Sequence, residues 1–147
     1  MMLLNDGDLL LERNKNLVRS FFERANTIGG TPVDMVTEDF VAHISGAQPY
    51  DLKAFEDYQE SFYSSFSETE TVVEDLIAEG DRVAFRGYVR TVHTGEFMGV
   101  PASGKEIVVS VIGFAKIEQG KIAEWWNFPD RLSWMQQIGA LPERVDN

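Results

Sequence analysis

The sequence contains no cysteine among its 147 residues. Disulfide bonds, thiolate nucleophiles and cysteine-ligated zinc sites are therefore excluded. Basic residues are also few, because 13 Lys and Arg stand against 24 Asp and Glu and leave a formal net charge of −11. Such a surface repels the phosphates of nucleic acids and of anionic membranes, so neither is an expected partner. No apolar run approaches the roughly 18 residues that span a bilayer.

The residues that are present are sufficient for a folded core. Apolar residues make up 44% of the chain and aromatic residues 12%, which is not typical of disorder. The length suits one domain over residues 1–147, since domains commonly have about 100–150 residues. The segment Met1–Asp8 has no basic residues and only four consecutive apolar ones, unlike a secretion signal. We therefore expect a single cytoplasmic domain, with residues 1–13 as a helical extension.

Helical periodicity dominates the first half of the chain. Apolar residues recur at helical spacing from Leu17 to Ile28, and the pair Gly29 and Gly30 ends the pattern. Asp51 is a favourable N-cap for a second helix, whose apolar positions continue to Phe66.

The second half is dominated by strands that short polar turns connect, a pattern that predicts antiparallel hairpins. The predicted strands are 40–44, 71–78, 83–93, 106–117 and 122–128. A last helix is predicted over 130–138. Helices followed by hairpins predict an α+β fold, in which the helices cover the concave face of a curved antiparallel sheet. Such a sheet can enclose a ligand pocket.

Three segments of this pattern resemble the SnoaL-like polyketide cyclases. They are Val73–Ala84; His93–Pro101 followed by Gly104 and Lys105; and Gly120–Trp126 followed by Asp130 and Gln136–Gly139. The resemblance runs from about Asn14 to Leu141, and the His-Thr-Gly-Glu-Phe loop combined with the Gly-Lys-Ile-x-Glu-x-Trp strand is fairly specific.

The resemblance implies the cone-shaped α+β barrel of nuclear transport factor 2 and association into homodimers or tetramers through the sheet. It also implies cofactor-free chemistry on a small, apolar, oxygenated molecule. The founding enzymes close a polyketide ring by an aldol condensation, whereas relatives isomerise, dehydrate, hydrolyse epoxides or have no known reaction. The fold is therefore expected to transfer better than the reaction.

Two positions depart from the cyclase pattern. Asn127 occupies the position of the aspartate base of the founding cyclases, and Gly113 matches the position of their assisting histidine. An amide cannot take up a proton at any accessible pH, although it can donate a hydrogen bond to an oxyanion. Aldol cyclase activity of the founding type is therefore not expected, and Asn127 is instead a candidate for positioning or polarising a carbonyl.

Two other residues are candidates for moving a proton. His43 ends a predicted strand, where the resemblance implies a histidine that can face the cavity, and its imidazole could act as the base. The alternative is a hydrogen-bonded histidine at a strand end. Asp130 could act as a base at the pocket mouth, or it could be the N-cap of the last helix.

Several residues are candidates for contacting a ligand. Trp125 precedes Asn127 by two residues, so both side chains should share one sheet face, where Trp125 either lines the cavity or fills it. Trp126 should face the opposite side, at a subunit contact. His93 either lines the cavity or orders the loop that follows it. Tyr88 either contributes to the pocket or lies on an outward, ion-paired face.

No metal site is expected, because the two histidines are 50 residues apart and no spaced carboxylate motif accompanies them. The candidate functions are a cofactor-free cyclase or isomerase, a module that binds a small apolar ligand without catalysis, and a dimeric scaffold without a pocket. The sequence favours the fold strongly and hardly separates the first two functions.

Overall fold

The first helix, α1 (Asp6–Ile28), contains the predicted amphipathic stripe. The computed structural model describes residues 3–142 of the chain. The side chain of Asn5 accepts a hydrogen bond from the backbone N–H of Asp8 and so caps the start of the helix. Gly29 ends it with a φ of 65°, a left-handed conformation that glycine adopts without strain. The predicted end of this helix is confirmed.

The second helix, α2 (Leu52–Ser65), begins as predicted, because the carboxylate of Asp51 accepts from the backbone N–H of Ala54. It ends earlier than predicted. Phe66 does not continue the helix but opens a strand, and its ring is buried. Periodicity could not show this end, since Phe62 and Phe66 are four residues apart and fit one helix face. The last helix, α3 (Arg131–Gln137), follows the predicted N-cap at Asp130.

Six strands form one sheet. They are β1 (Val36–Ile44), β2 (Tyr50–Asp51), β3 (Phe66–Glu79), β4 (Arg82–His93), β5 (Glu106–Glu118) and β6 (Lys121–Pro129). Their spatial order is β2-β1-β6-β5-β4-β3, and a single 3₁₀ turn precedes β1. The predicted α+β fold and the antiparallel pairing of β3 to β6 are confirmed. The sheet is curved but does not close.

The pairing of β1 with β6 is parallel, which makes the sheet mixed rather than purely antiparallel. Hairpin turns could not reveal this pairing, because about half of the chain separates β1 from β6. The pairing places His43 opposite Trp126 and Ile44 opposite Asn127. The first strand therefore flanks the strand that carries the candidate site.

The core lies between the concave face of the sheet and helices α1 and α2. Along β5, alternate residues are buried, while Ile112 and Phe114 between them are exposed on the outer face. Two buried clusters result, one around Trp125 and one around Trp134. Within residues 3–142, none of the helices has the length and hydropathy to cross a bilayer.

Candidate functional site

A cavity of about 90 Å³ lies between the two clusters. One water needs about 10–15 Å³ on this scale, so the cavity has room for several waters or for a small organic molecule. Its sheet side combines apolar residues, among them Val89, Val109 and Val111, with three threonines and Asn127, whereas α1 and α2 contribute mainly aromatic rings. None of the twenty lining residues in the described part of the chain is Asp, Glu, His, Lys or Arg. The cavity is therefore mainly apolar and carries no charged side chain.

Asn127 and Trp125 both line this cavity from β6. The Oδ1 of Asn127 and the indole Nε1 of Trp125 are buried and have no hydrogen-bond partner within residues 3–142. Leaving a buried polar atom without a partner costs about 1–3 kcal/mol. An unpartnered acceptor and an unpartnered donor on lining residues therefore indicate a place for a polar ligand atom or for water.

Trp134 of α3 provides a further unpartnered donor at the cavity. Its indole Nε1 is buried without a partner among the described residues, and the residue lines the cavity. Its ring stacks on Phe97 of the β4–β5 loop with the ring centroids 5.0 Å apart. The loop that carries the family motif thus supports a cavity wall.

Trp125 is also part of the core. It is 1% exposed, and its ring lies 4.8–5.2 Å from the rings of Phe21, Phe22 and Phe85. Both predicted roles therefore apply to Trp125. It fills one end of the cone and also lines the cavity that remains.

Two tyrosines of α2 are the titratable groups that line the cavity. Burial raises the pKa of Tyr58 and of Tyr63 to about 12 in each case. Both phenols therefore stay protonated and neutral at physiological pH. A phenol of this kind can donate a hydrogen bond, but its phenolate is too scarce near neutrality to act as a base.

His43 lies on the outer face of the sheet and is not among the residues that line the cavity. Its Nε2 is 2.7 Å from a carboxylate oxygen of Glu124, and its ring stacks on Trp126 with the centroids 5.2 Å apart. The guanidinium of Arg82 also lies against Trp126, 5.4 Å from the ring centroid. This position differs from the expectation that His43 faces the cavity, because His43 pairs in register with the outward-facing Trp126.

Asp130 is exposed and caps α3, since its carboxylate accepts a hydrogen bond of 3.1 Å from the backbone N–H of Ser133. It is likewise not among the lining residues. The geometry is that of the predicted N-cap. The structure therefore does not bring His43, Asp130 and Asn127 together at one place.

His93 is fully buried but orders a loop instead of lining the cavity. Its Nδ1 accepts from the backbone N–H of Ser103 at 3.1 Å, and the Ser103 hydroxyl lies 2.9 Å from the same atom. The proton of the neutral ring therefore resides on Nε2. Of the two alternatives for His93, the geometry matches the one in which it orders the loop, through its contacts with Ser103.

Tyr88 lies on the outer face of β4, away from the cavity. The guanidinium of Arg90 is 5.6 Å from its ring centroid. Arg86 on the same face bonds Asp75 at 2.6 Å. Tyr88 therefore lies on the outward, ion-paired face, and it is not among the residues that line the cavity.

Gly113 is buried on the inner face of β5 but does not line the cavity. A Cβ there would lie 1.9 Å from the backbone oxygen of Trp126 and 2.5 Å from the Cζ of Phe85. The Phe85 ring thus occupies the space that a side chain at position 113 would need. Gly113 is therefore a packing residue and not a residue of the cavity lining.

Several polar lining residues were not predicted from the sequence, including Tyr58, Gln59, Thr69 and Thr91. Three others form a hydrogen-bonded cluster at the cavity, namely Asn26, Tyr63 and Thr71. The hydroxyls of Tyr63 and Thr71 donate to the Oδ1 of Asn26 at 3.2 and 3.4 Å. All three line the cavity. No sequence signal identifies them, because they lie on α1, α2 and β3 and meet only in the folded chain.

Comparison with known proteins confirms the resemblance seen in the sequence. The model of the family described as SnoaL-like polyketide cyclase matches residues 17–138. AclR of Streptomyces galilaeus, a proposed hydroxylase, has a similar structure, with a TM-score of 0.82 and 23% identity over 90% of this chain and 99% of its own. No protein with a curated description matches the sequence.

Two further solved structures share the fold. A proposed SnoaL-like polyketide cyclase of Jannaschia sp. CCS1 has a TM-score of 0.81 and 22% identity over 97% of this chain and all of its own. IdmH of Streptomyces antibioticus, a proposed polyketide cyclase, has a TM-score of 0.76 and 23% identity over 86% of this chain and 98% of its own. With the family model covering most of its length, the chain belongs to the SnoaL-like polyketide cyclase family.

Proposed function

We propose that the chain binds a small, apolar, uncharged molecule whose carbonyl or hydroxyl oxygen lies against Asn127. The observation that carries this proposal is the set of buried, unpartnered polar atoms on three residues that line a mainly apolar cavity. These residues are Asn127, Trp125 and Trp134. A ligand carbonyl oxygen can accept from the indole N–H groups and from the amide N–H of Asn127, whereas a ligand hydroxyl can also donate to the Oδ1 of Asn127. The carbon skeleton of the ligand would contact the valines and aromatic rings.

The same geometry argues against an aldol cyclase of the founding type. Abstraction of a proton next to a carbonyl needs a base within hydrogen-bond reach and with a pKa near the working pH. The ionisable groups that line the cavity are Tyr58 and Tyr63, whose pKa values are about 12. His43 and Asp130 lie outside the cavity lining and are engaged with Glu124 and Ser133. Binding without base catalysis is therefore the better-supported function.

A cofactor-free cyclase or isomerase is the second candidate. The unpartnered indole N–H groups of Trp125 and Trp134 favour it, because donors that the fold holds in place can stabilise a developing oxyanion. Asn127 would then polarise the carbonyl, and the proton would have to move through water or the substrate itself. Relatives described as proposed polyketide cyclases support this candidate at the level of the family.

Replacing Asn127 with leucine tests the binding proposal. The probe is 4-phenylcyclohexanone, and phenylcyclohexane is the same skeleton without oxygen. In the unmodified protein, isothermal titration calorimetry should show tighter binding of the ketone. Asn127→Leu should weaken ketone binding about tenfold, since it removes the amide N–H that donates to the ketone oxygen, a contact that contributes about 1.4 kcal/mol.

The matched control is Asn16→Leu, the same chemical change at an exposed position of α1. It should leave the affinity for the ketone within twofold of the original. Equal affinities for the ketone and the hydrocarbon, or an unchanged ketone affinity in Asn127→Leu, would refute the proposal.

We also propose that the outer face of the sheet forms the interface of a homodimer. Ile112, Phe114 and Phe128 are 56%, 50% and 46% exposed on this face, next to Trp126. A group of exposed large apolar side chains is typical of a protein contact surface. Ion pairs that join β4 to β3 and to β5, Arg86–Asp75 and Arg90–Glu106, border this apolar area.

Replacing Phe114 with glutamate should disrupt this dimer, because it places a charge in the centre of the apolar face. Sedimentation velocity should show a change from dimer to monomer at micromolar concentration. Leu10→Glu is the control, since Leu10 is 53% exposed on α1, away from the sheet. A monomeric unmodified protein would disprove this interface, and so would dimers that persist in Phe114→Glu.

A further inference from the structure

We infer that the cavity has a second polar end, formed by Asn26, Tyr63 and Thr71, and that this end recognises an uncharged hydroxyl group. The ligand class is then a neutral ring compound with oxygen at both ends and an apolar middle. This inference rests on the proposed binding function and adds to it the identity of a second polar group on the ligand.

The hydrogen bonds of the three residues leave donors free at this end. Asn26 uses its Oδ1 to accept from both hydroxyls, at 3.2 Å from Tyr63 and 3.4 Å from Thr71. No hydrogen bond from its Nδ2 occurs within residues 3–142, so two N–H groups remain available. The two hydroxyl oxygens keep lone pairs that can accept. A ligand hydroxyl can therefore both donate and accept here.

The position of the cluster in the sheet separates it from Asn127. Thr71 on β3 pairs with Val89 on β4, and Val89 pairs with Val109 on β5. Asn127 lies on the next strand, β6. Three strand spacings, about 14 Å, therefore separate the two strands that carry the polar ends. The valines between them form an apolar middle.

Both polar ends are partly enclosed by the fold, because Asn26, Tyr63, Thr71 and Asn127 are all partly buried. A polar ligand group at either end therefore loses part of its hydration and gains from a hydrogen bond with the protein.

The electrostatics select an uncharged ligand. The described cavity lining has no cation that could pair with a carboxylate or phosphate. The chain as a whole carries a net charge of −11, which disfavours anions further. Burial of an unpaired charge costs far more than burial of a hydroxyl that finds a hydrogen bond. A carboxylate in place of the hydroxyl should therefore bind worse than no polar group at all.

The experiment compares three probes by isothermal titration calorimetry at neutral pH. They are 4-(4-hydroxyphenyl)cyclohexanone, 4-phenylcyclohexanone, which lacks the hydroxyl, and 4-(4-oxocyclohexyl)benzoate, which carries a carboxylate in its place. The hydroxyl should tighten binding about fivefold, as one net hydrogen bond does. The benzoate should bind more weakly than 4-phenylcyclohexanone.

The variants locate the effect in the cluster of Asn26, Tyr63 and Thr71. In Asn26→Leu, the fivefold advantage of the hydroxyl compound over 4-phenylcyclohexanone should disappear. Tyr63→Phe removes one hydroxyl with little change of shape and should reduce the same advantage. It provides a second test in case Asn26→Leu folds poorly. Asn16→Leu, on the exposed side of α1, should preserve the advantage.

The outcomes separate this inference from the proposed function. Suppose that 4-phenylcyclohexanone binds and depends on Asn127, but the hydroxyl adds no affinity or keeps its advantage in both variants. The inference is then wrong and the binding function stands. If neither 4-phenylcyclohexanone nor 4-(4-hydroxyphenyl)cyclohexanone binds, both the proposed function and the inference are wrong.

Discussion

Replacing Gly113 with alanine is expected to destabilise the protein by about 3 kcal/mol. The added Cβ would lie 1.9 Å from the backbone oxygen of Trp126 and 2.5 Å from the Cζ of Phe85. A flexible side chain could turn away, but the backbone oxygen belongs to the neighbouring strand β6. The β5–β6 pairing must therefore shift, and urea unfolding followed by tryptophan fluorescence should show the loss.

Gly30→Ala is the matched control for this prediction. A Cβ at Gly30 meets no heavy atom within 4 Å, and its φ is not in the left-handed region. Its effect on the free energy of unfolding should stay within about 0.5 kcal/mol. A loss of similarly small size in Gly113→Ala would show that the strands adjust easily and that the close packing is not restrictive.

The packing of Gly113 bears directly on the chemistry of the site. The resemblance places an assisting histidine of the founding cyclases at this position, and here the ring of Phe85 takes the corresponding space. Phe85 stacks in turn on Trp125, with the centroids 4.8 Å apart. The missing histidine and the aromatic filling are therefore one structural feature. Restoring a histidine would require removal of the Phe85 ring as well.

Replacing Trp125 with alanine is expected to cost about 3–5 kcal/mol of unfolding free energy. Trp125 is 1% exposed and contacts three phenylalanine rings, so its removal leaves a void that these rings cannot fill. The same substitution should enlarge the cavity. Urea unfolding measures the stability, here followed by circular dichroism because the substitution removes a fluorophore.

The neighbouring Trp126 provides the control for Trp125→Ala. It is partly exposed on the outer face, between the ring of His43 and the guanidinium of Arg82. Trp126→Ala should therefore cost only about 1 kcal/mol, because it removes partly solvated contacts. Equal losses in the two variants would contradict the assignment of the two rings to opposite faces of β6.

Local patterns in the sequence predicted much of the fold because they report local physics. Gly29 and Gly30 end α1, since Gly29 adopts a left-handed conformation that is unfavourable for residues with a side chain. Asp51 and Asp130 cap α2 and α3, because short carboxylates reach free N–H groups of the first turn. The alternation along β6 correctly assigned Trp125 and Trp126 to opposite faces.

Long-range relations were beyond such patterns. The parallel pairing of β1 with β6 joins distant segments, and it determines that His43 lies beside Trp126 on the outer face. A histidine at the end of a strand fits either face until the register is known, because a shift of one residue reverses the direction of each side chain. The interpretation of His43 as a cavity residue failed for that reason.

By itself, the sequence determined the family, the helix caps, the hairpins and the absence of an aspartate at position 127. These follow from residue identities and from interactions between neighbours in the chain. Only the tertiary structure decided that the cavity lining lacks an ionisable group near neutrality and that Asn26, Tyr63 and Thr71 meet at one end of it. Those properties depend on how α1, α2 and β3 pack together. Packing between elements is a sum of many weak, non-local contacts, and no single stretch of sequence encodes it.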